Sequence, residues 1–226
     1  MSPTQRAFRS VGRPRHAGRI DARESLLDAA VSLFAEKGVA GTSMAEIAAR
    51  SGVTAAMVHY YFTNREQLLD AIAEERLQRI VTAIWTPVVE TEEIVPMLGG
   101  LVQRVVKSAQ EHPWLPSLWL REVISEGGQL RPRLLRRARF EYVQHLIRTV
   151  KAAQRHREIN PRLEPRLVFM SVLGLTLLPL ASFRVLQEAS PLRGIKRKDI
   201  ARHAEALLLR AFSSGPRGAG LPREER

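Results

Sequence analysis

The stretch "TSMAEIAARSGVTAAMVHYYF", Thr42 to Phe62, contains two short runs of apolar residues at helical spacing, separated by Ser-Gly-Val. Thr42 or Ser43 can cap the first helix, and Glu46 stands three residues after Ser43, as in a capping box. Gly52 can adopt the positive φ that a three-residue turn demands. Two short helices joined in this way have the dimensions of a helix-turn-helix.

The second helix of this pair is expected to have one buried and one exposed face. Ile47, Val53 and Val58 are spaced to share a small core with an earlier helix, "RESLLDAAVSLFAEKG". Tyr61 and Phe62 are expected to pack inward. The opposite face then presents Thr54, Ala55, Ala56, His59 and Tyr60. Such a face suits a recognition helix in a major groove, and an ordinary helical hairpin is the alternative.

The composition favours a globular protein that meets a polyanion. The chain has 226 residues, of which 45% are apolar, and a formal net charge of +12. Soluble proteins this basic usually bind nucleic acid or an anionic surface, although a GC-rich genome that favours arginine is an alternative explanation. The absence of cysteine excludes a disulfide framework, a cysteine-ligated zinc site and a thiol nucleophile.

Signals of catalysis are weak. The six histidines form no HxxxH pair, and the chain has neither a Gly-rich phosphate loop after a strand nor a G-x-S-x-G motif. Glu122 and Glu126 lie one turn apart, but a solvated helix face is the simpler interpretation. We therefore expect no enzyme activity, no catalytic residue, no metal and no cofactor.

The segment "GVAGTSMAEIAARSGVTAAMVHYYFTNREQLLDAI", Gly38 to Ile72, resembles the DNA-binding domain of the TetR/AcrR (tetracycline-repressor-like) family of transcriptional regulators. The shared features are the threonine before the second helix, the Ala-x-x-x-Gly-Val turn, the aromatic pair before phenylalanine, and a cationic residue three before a leucine pair. The resemblance implies an all-helical homodimer that binds a palindromic double-stranded DNA operator, most often as a repressor. It also implies release by a small-molecule effector.

The resemblance carries over to individual residues. Thr42 and Tyr60 would contact phosphate, and so would Arg65, which stands where the family most often has lysine. Ser43, next to Thr42, is expected at the same surface. The residues that would face the groove are Thr54, Ala55, Ala56 and His59.

The recognition helix departs from the family pattern at two aromatic positions. His59 stands where family members often have tyrosine, and Tyr61 stands where they often have histidine. Which ring meets a base and which meets the backbone therefore stays open. Ala55 and Ala56 offer only methyl groups, so base readout would depend on contacts with thymine methyls.

A basic arm precedes the first helix. Its sequence "GRPRHAGR" includes Arg13 and Arg15. An extended arginine segment of this kind can enter a narrow A·T-rich minor groove. The alternative is a disordered arm that adds only non-specific attraction to phosphate.

We predict an all-α fold, because apolar residues recur at helical spacing along the chain and strand patterns are missing. An N-terminal three-helix helix-turn-helix DNA-binding domain is followed by a larger helical effector-binding and dimerisation domain. The expected divisions are a basic arm at 1–20, the DNA-binding domain at 21–66, the effector-binding and dimerisation domain at 67–213, and a disordered tail at 214–226. The long fourth helix is expected to end before Pro87, and the helix after it to bend or break at Pro96 and Gly99-Gly100.

An effector pocket would lie among the middle helices. Its candidate lining residues are Trp85, Met97, Trp114, Trp119, Phe140, Tyr142, Phe169 and Met170. Each of them is also compatible with an ordinary core position, and the lining predicts a largely apolar effector. The basic run "RPRLLRRARF" suggests an acidic effector, but its arginines cannot all point into one pocket, and a solvated face is the simpler interpretation.

The apolar helix near residue 175 and the amphipathic C-terminal helix suit a dimeric four-helix bundle with two helices per subunit. The candidate interface residues are Ser171, Leu173, Gly174, Leu177, Ala181, Leu208 and Phe212. Burial of the same residues within one subunit is the alternative.

Two other kinds of regulator fit parts of the sequence. One is a nucleoid-type structural DNA-binding protein without an effector, which would not need a second core of this size. The other is a membrane-tethered regulator that uses Leu167 to Phe183. That segment is shorter than the roughly 20 residues that span a bilayer and contains Pro179. We therefore expect a cytoplasmic protein without a membrane partner.

Overall fold

The computed structural model describes residues 15–188 and 190–212, and over these ranges every regular element is a helix. The chain divides into two compact units, Met1–Leu68 and Leu69–Arg226. The predicted all-α fold is confirmed, whereas the four predicted divisions of the chain stay predictions. Arg13 and the side chains of Arg15 and Phe212 lie outside the described part, as do residues 214–226.

The first unit contains three helices and the start of a fourth. They are α1 (Arg15–Lys37), α2 (Met44–Ser51), α3 (Ala55–Tyr61) and α4 (Arg65–Ile72). Their facing sides bury a small core whose members include Leu26, Phe34, Ile47, Val58, Phe62 and Leu68. Fully burying one such side chain contributes about 1.5–3 kcal/mol, so this core accounts for much of the stability of the unit.

The turn between α2 and α3 forms as the sequence predicts. The Ser43 hydroxyl accepts from the Glu46 amide at 3.2 Å, and the Glu46 carboxylate accepts from the Ser43 amide at 2.8 Å. Gly52 ends α2 with φ of 72° and ψ of 20°. A Cβ at Gly52 would meet no atom within 4 Å, so the positive φ, and not crowding, is the reason for glycine.

The second unit contains the rest of the helices. They are α5 (Arg79–Val89), α6 (Ile94–Glu111), α7 (Leu115–Trp119), α8 (Arg131–Arg137), α9 (Phe140–Arg155), α10 (Val168–Ala181), α11 (Phe183–Glu188) and α12 (Arg197–Phe212). Two π-helical segments extend them, Ala73–Gln78 between α4 and α5 and Leu120–Ile124 after α7. Short 3₁₀ turns lie at Pro165–Leu167 and Ser190–Leu192.

The core of the second unit is built around α6. Its buried face meets α5, α9, α10 and α12, and the shared cluster includes Trp85, Leu98, Leu101, Leu146, Val172 and Ala204. A smaller cluster at one end joins α6 to α10 and α12 through Val106, Leu180 and Ile200. α6 thus serves as the central helix against which the others pack.

The expected end of the fourth helix before Pro87 is wrong, and the expected break in the helix after it does not occur. Pro87 lies inside α5, two residues before its end. The proline therefore removes only one backbone hydrogen bond, and that bond is in the last part of the helix. Arg104 Nε donates to the carbonyl of Ile84 at 2.8 Å, which supplies a donor in the turn before the proline. α6 is not broken at Pro96 or at the glycines, because Pro96 occupies its first turn, where an amide hydrogen has no partner within the helix.

None of the described helices is long and apolar enough to cross a membrane. α10, the most apolar of them, has 14 residues.

Candidate DNA-binding surface and effector cavity

The recognition helix α3 exposes the predicted face. Thr54 caps the helix by accepting from the Met57 amide at 3.3 Å. Tyr60 is 64% exposed. Its neighbours on this face are Thr54, Ala55, Ala56 and His59, all of them exposed. The exposure of these five residues agrees with the sequence, and their contact with DNA stays a prediction.

The end of α3 is fixed by aromatic packing. Phe62 is buried and the guanidinium carbon of Arg23 lies 5.4 Å from its ring centroid. Tyr61 is half-buried and meets the Tyr60 ring edge-on at 5.2 Å. The ring of Tyr60 thus packs against Tyr61 while most of its surface stays exposed.

The Thr42 hydroxyl is engaged within the protein, and its contact with phosphate, which the family resemblance implies, stays a prediction. The side chain is only 2% exposed, and Oγ1 donates to the carbonyl of Gly38 at 2.9 Å. This bond closes the turn that follows α1. Ser43 is exposed, but its hydroxyl is engaged in the capping box described above.

Arg65 makes two hydrogen bonds within the first unit, and its contact with phosphate stays a prediction. It is half-buried, and its Nη1 donates to the carbonyl of Thr42 at 2.7 Å while Nη2 donates to the carbonyl of Val39. A guanidinium can bridge two acceptors because its donors form a planar fork, which a lysine ammonium does not. Arg65 therefore holds the loop between α1 and α2, and its remaining donors are what it could offer to phosphate.

Charged side chains reinforce both ends of α2. Lys37 donates to the Glu46 carboxylate, and Arg50 forms a two-pronged pair with Glu36, with both distances 3.1 Å. The hydrogen bond from Lys37, together with that from the Ser43 amide, lowers the pKa of Glu46 to about 2. Glu46 therefore stays ionised, and able to cap α2, well below the usual range of a glutamate.

The second unit contains two neighbouring cavities that share Trp85, Trp119 and Phe169. The first encloses about 460 Å³, part of it open to solvent, and is lined by α5, α6, α7 and α10. The second spans about 740 Å³, also partly open to solvent, and extends towards α8 and α9. Their mostly apolar and aromatic linings are of the kind found in small-molecule sites. The Trp85 ring stacks on Tyr142 at 6.3 Å and tilts against Phe169 at 4.8 Å, forming an aromatic wall.

The candidate effector residues divide into two groups. Those that line a cavity are Trp85, Trp119, Phe140, Tyr142 and Phe169. The other three do not: Met97 is buried in the core, Trp114 packs near His112, and Met170 is 48% exposed on the outer side of α10. Their sequence spacing could not separate core, cavity and surface, because all three kinds of site take the same residue types.

The candidate interface residues also divide. Leu173 and Leu177 line the first cavity, and Leu208 is 5% exposed within the core. Their placement is compatible with the alternative of burial within one subunit, and their role in a dimer interface stays a prediction. The apolar or small residues that α10 leaves exposed are Met170, Ser171, Gly174 and Leu178. Ala181 is half-buried at the end of the helix.

A cluster of ion pairs joins α8 to the helix that begins at Arg65. Arg133 Nε lies 2.9 Å from Oδ1 of Asp70, and Arg136 Nη2 lies 3.5 Å from the same atom. Arg137 pairs with Glu74 at 3.4 Å. The sequence interpretation of this basic run as a solvated face missed these pairs, because the carboxylates lie about sixty residues earlier in the chain.

The first unit matches a known family. Residues 26–72 match the family described as bacterial regulatory proteins, tetR family. A nicotine-responsive transcriptional repressor, HdnoR of Paenarthrobacter nicotinovorans, is 36% identical over 75 residues, which are 33% of this chain and 39% of that protein. The probable transcriptional regulator YttP of Bacillus subtilis is 26% identical over 115 residues, 50% of this chain and 56% of that protein. The matched segments thus span little more than half of these relatives at most.

Solved structures extend the likeness to most of the chain. The ketosteroid regulator KstR2 of Mycobacterium tuberculosis matches with a TM-score of 0.68 and 17% identity, over 85% of this chain and 95% of that one. AibR in complex with isovaleryl coenzyme A and operator DNA matches with a TM-score of 0.68 and 24% identity, over 85% and 100%. At such identities the likeness establishes the fold of the second unit.

Proposed function

We propose, from the premise that residues 26–72 are a DNA-binding domain of the TetR family, that this protein is a ligand-responsive transcriptional regulator. It binds a palindromic operator as a homodimer, acts as a repressor, and releases DNA when a small molecule occupies the second unit. The observation that carries the proposal is the pairing of a complete helix-turn-helix with a separate helical unit that contains apolar cavities. The curated relatives are named as transcriptional regulators, and we propose no enzyme activity.

DNA binding would rest on the exposed face of α3. His59, Ala55 and Ala56 would read base edges, and Tyr60 would bind phosphate. Arg65 would act mainly by holding the Val39–Thr42 loop, and secondarily through its remaining donors. The net charge of +12 would add sequence-independent attraction.

Dimerisation would use the exposed side of α10. Met170 and Leu178 place large apolar surface there, and Ser171 and Gly174 leave room for a second helix to approach. On α12, Leu207 is 44% exposed and would contribute to the same contact. A two-fold axis through this face would present two recognition helices to a palindrome.

The effect of the effector on DNA binding would be transmitted through α8. Leu134 and Leu135 line the second cavity, while Arg133 on the same helix pairs with Asp70 of α4. A ligand that displaces α8 would therefore change the forces on α4, whose first residue holds the loop of the DNA-binding domain. The effector can weaken DNA binding only by as much as it prefers the DNA-incompetent state, about 1–3 kcal/mol in ordinary cases.

The names of relatives and neighbours support a small-molecule effector without identifying it. HdnoR is named as nicotine-responsive, and a Bacillus subtilis neighbour, FadR, is solved with stearoyl-CoA. Because these ligands differ widely, we take from them only that the second unit receives an organic molecule with a large apolar part.

The test is a reciprocal titration. DNA recovered by selection from random sequence is titrated with the full-length protein, and a candidate effector is then titrated with and without that DNA. The proposal expects a palindromic consensus and an effector affinity that falls in the presence of DNA by the same factor as DNA affinity falls with effector. Recovery of no consensus would favour the nucleoid-type alternative, and equal effector affinities would reject the allosteric claim for that compound.

A further inference from the structure

The second cavity is apolar over most of its surface but carries two cations. Arg131 and Arg139 belong to its lining, and no aspartate or glutamate of the described part of the chain does. Arg139 is exposed and its charge is screened by solvent, whereas Arg131 is half-buried. The positive charge that a ligand in this cavity would meet is therefore that of Arg131.

One hydrogen bond from its guanidinium fixes the orientation of the Arg131 side chain. Its Nη2 donates to the carbonyl of Ser125, in the loop after the second π-helical segment. Its Nε is buried and has no acceptor among the described residues. A buried donor without an acceptor is unfavourable, and a carboxylate is the acceptor that a guanidinium binds most strongly.

Trp119 presents a second donor of this kind. Its ring lines both cavities, and its indole Nε1 is buried without an acceptor among the described residues. Buried tryptophan N–H groups usually have a hydrogen-bond partner. The lack of an acceptor for the Trp119 N–H in this mostly apolar site therefore points to a position for a ligand oxygen. The neighbouring aromatic wall of Trp85 and Phe169 leaves the rest of the ligand in an apolar environment.

We infer that the effector is an organic acid with an apolar body, whose carboxylate accepts hydrogen bonds from Arg131 and Trp119. This inference rests on the proposed role of the second unit as an effector domain. The two donors differ in what they recognise. The indole N–H requires an oxygen acceptor of any charge, whereas the guanidinium favours a negative one.

The two roles can be separated by binding calorimetry on the full-length protein in the absence of DNA. The probes are decanoate, methyl decanoate and decanoyl-coenzyme A. Decanoate is expected to bind about tenfold more tightly than its methyl ester, because the ester lacks the charge. Arg131→Gln should remove this preference by weakening decanoate alone, and Trp119→Phe should weaken both probes while preserving the aromatic ring. Arg148→Gln, at an exposed position of α9, is the matched control and should change neither.

An indole proton signal supplies a readout that a structural role for Trp119 would not move. In protein labelled with ¹⁵N-tryptophan, the N–H resonance that disappears in Trp119→Phe should shift on addition of decanoate, as expected for a newly formed hydrogen bond. A shift confined to the resonances of Trp85 or Trp114 would contradict the assignment.

Three results would overturn the inference: equal affinity for decanoate and its ester, unchanged decanoate affinity in Arg131→Gln, or no binding of decanoate. Tighter binding of decanoyl-coenzyme A than of decanoate would also reject a free carboxylate as the recognised group. Because these titrations contain no DNA, they are independent of the proposed function. Carboxylate binding that leaves operator affinity unchanged would count against the regulatory proposal and not against the ligand class.

Discussion

The guanidinium of Arg65 donates to the carbonyl oxygen of Thr42 across 2.7 Å, so the first residue of α4 holds the residue that precedes the cap of α2. A second bond reaches Val39 in the same loop. A side chain that the family resemblance would assign to phosphate binding is thus part of the structure that positions the recognition helix.

Arg65→Lys and Arg65→Ala separate these two roles. Both variants lose the two-pronged bond, and we expect each to lower the free energy of unfolding by about 1–3 kcal/mol in urea denaturation. Arg65→Ala should in addition weaken binding to all DNA sequences and reduce the salt slope by about one counterion, whereas Arg65→Lys should keep that slope. Wild-type stability in Arg65→Lys would show that the carbonyl contacts contribute nothing.

His59→Ala should change which DNA sequences are preferred. Loss of a contact with a base edge removes about 1–3 kcal/mol of discrimination at particular positions of the site. Tyr60→Phe is the comparison, because removal of a phosphate contact should weaken binding to all sequences alike. Selection from random DNA followed by anisotropy titrations measures both effects. Unchanged operator affinity in both variants would remove α3 from the DNA interface.

Leu178→Glu should produce a folded monomer. Leu178 is 55% exposed in the single chain, so a charge there opposes dimerisation without entering the core. Leu208→Glu, by contrast, places a charge in the core of the subunit and should lower the melting temperature severely. Light scattering and thermal denaturation distinguish the two variants. A dimeric Leu178→Glu protein would move the interface away from this side of α10.

The stability that Glu46 provides should depend on pH at the acid end. Its folded-state pKa of about 2 is lower than the ordinary value of 4.5, so the ionised carboxylate favours the folded state. The difference in stability between wild type and Glu46→Gln should be fully present above pH 4.5 and should disappear as the pH falls through about 2. Urea titrations across this range measure it, with Glu92→Gln in the loop after α5 as the control. A difference that stays constant down to pH 2 would contradict the capping role of the charge.

The pair Asp70–Arg133 should carry effector coupling. A double-mutant cycle of Asp70→Asn and Arg133→Gln isolates their interaction, because Arg133 also donates to the carbonyl of Gln129. We expect operator affinity to persist while the effector-induced loss of affinity falls several-fold. Arg148→Gln, at an exposed position of α9 outside this cluster of ion pairs, is the control. Full effector response in all variants would exclude this route.

The first unit could be predicted closely because its signals are local. The capping box of Ser43 and Glu46 and the turn glycine Gly52 each act within a few residues, so their geometry follows from the sequence itself. The hydrogen bond from Arg65 to the carbonyl of Thr42 could not be predicted, because a cation at the start of a helix is compatible with both a phosphate and a carbonyl partner.

The second unit could be predicted only in outline. α10 is apolar on all sides, so periodicity does not tell whether Leu173 or Leu178 faces inward, and neighbouring helices decide it. The same holds for Arg131, where helical spacing indicates a solvated face but packing places the side chain in the lining of a cavity. The Trp119 N–H, which has no acceptor among residues 15–188 and 190–212, has no sequence signal at all, because a missing partner becomes visible only in three dimensions.

The π-helical segment Ala73–Gln78 joins α4 to α5, and it affects how this joined helix can vary in length over evolution. A π turn holds one more residue than an α turn, so a one-residue deletion within it can be absorbed by conversion to α geometry. The same deletion inside α4 or α5 would rotate the flanking faces by about 100° relative to each other. Deletions among homologous genes should therefore concentrate at this segment, which allows the effector domain to diverge while the register of the DNA-binding domain is preserved.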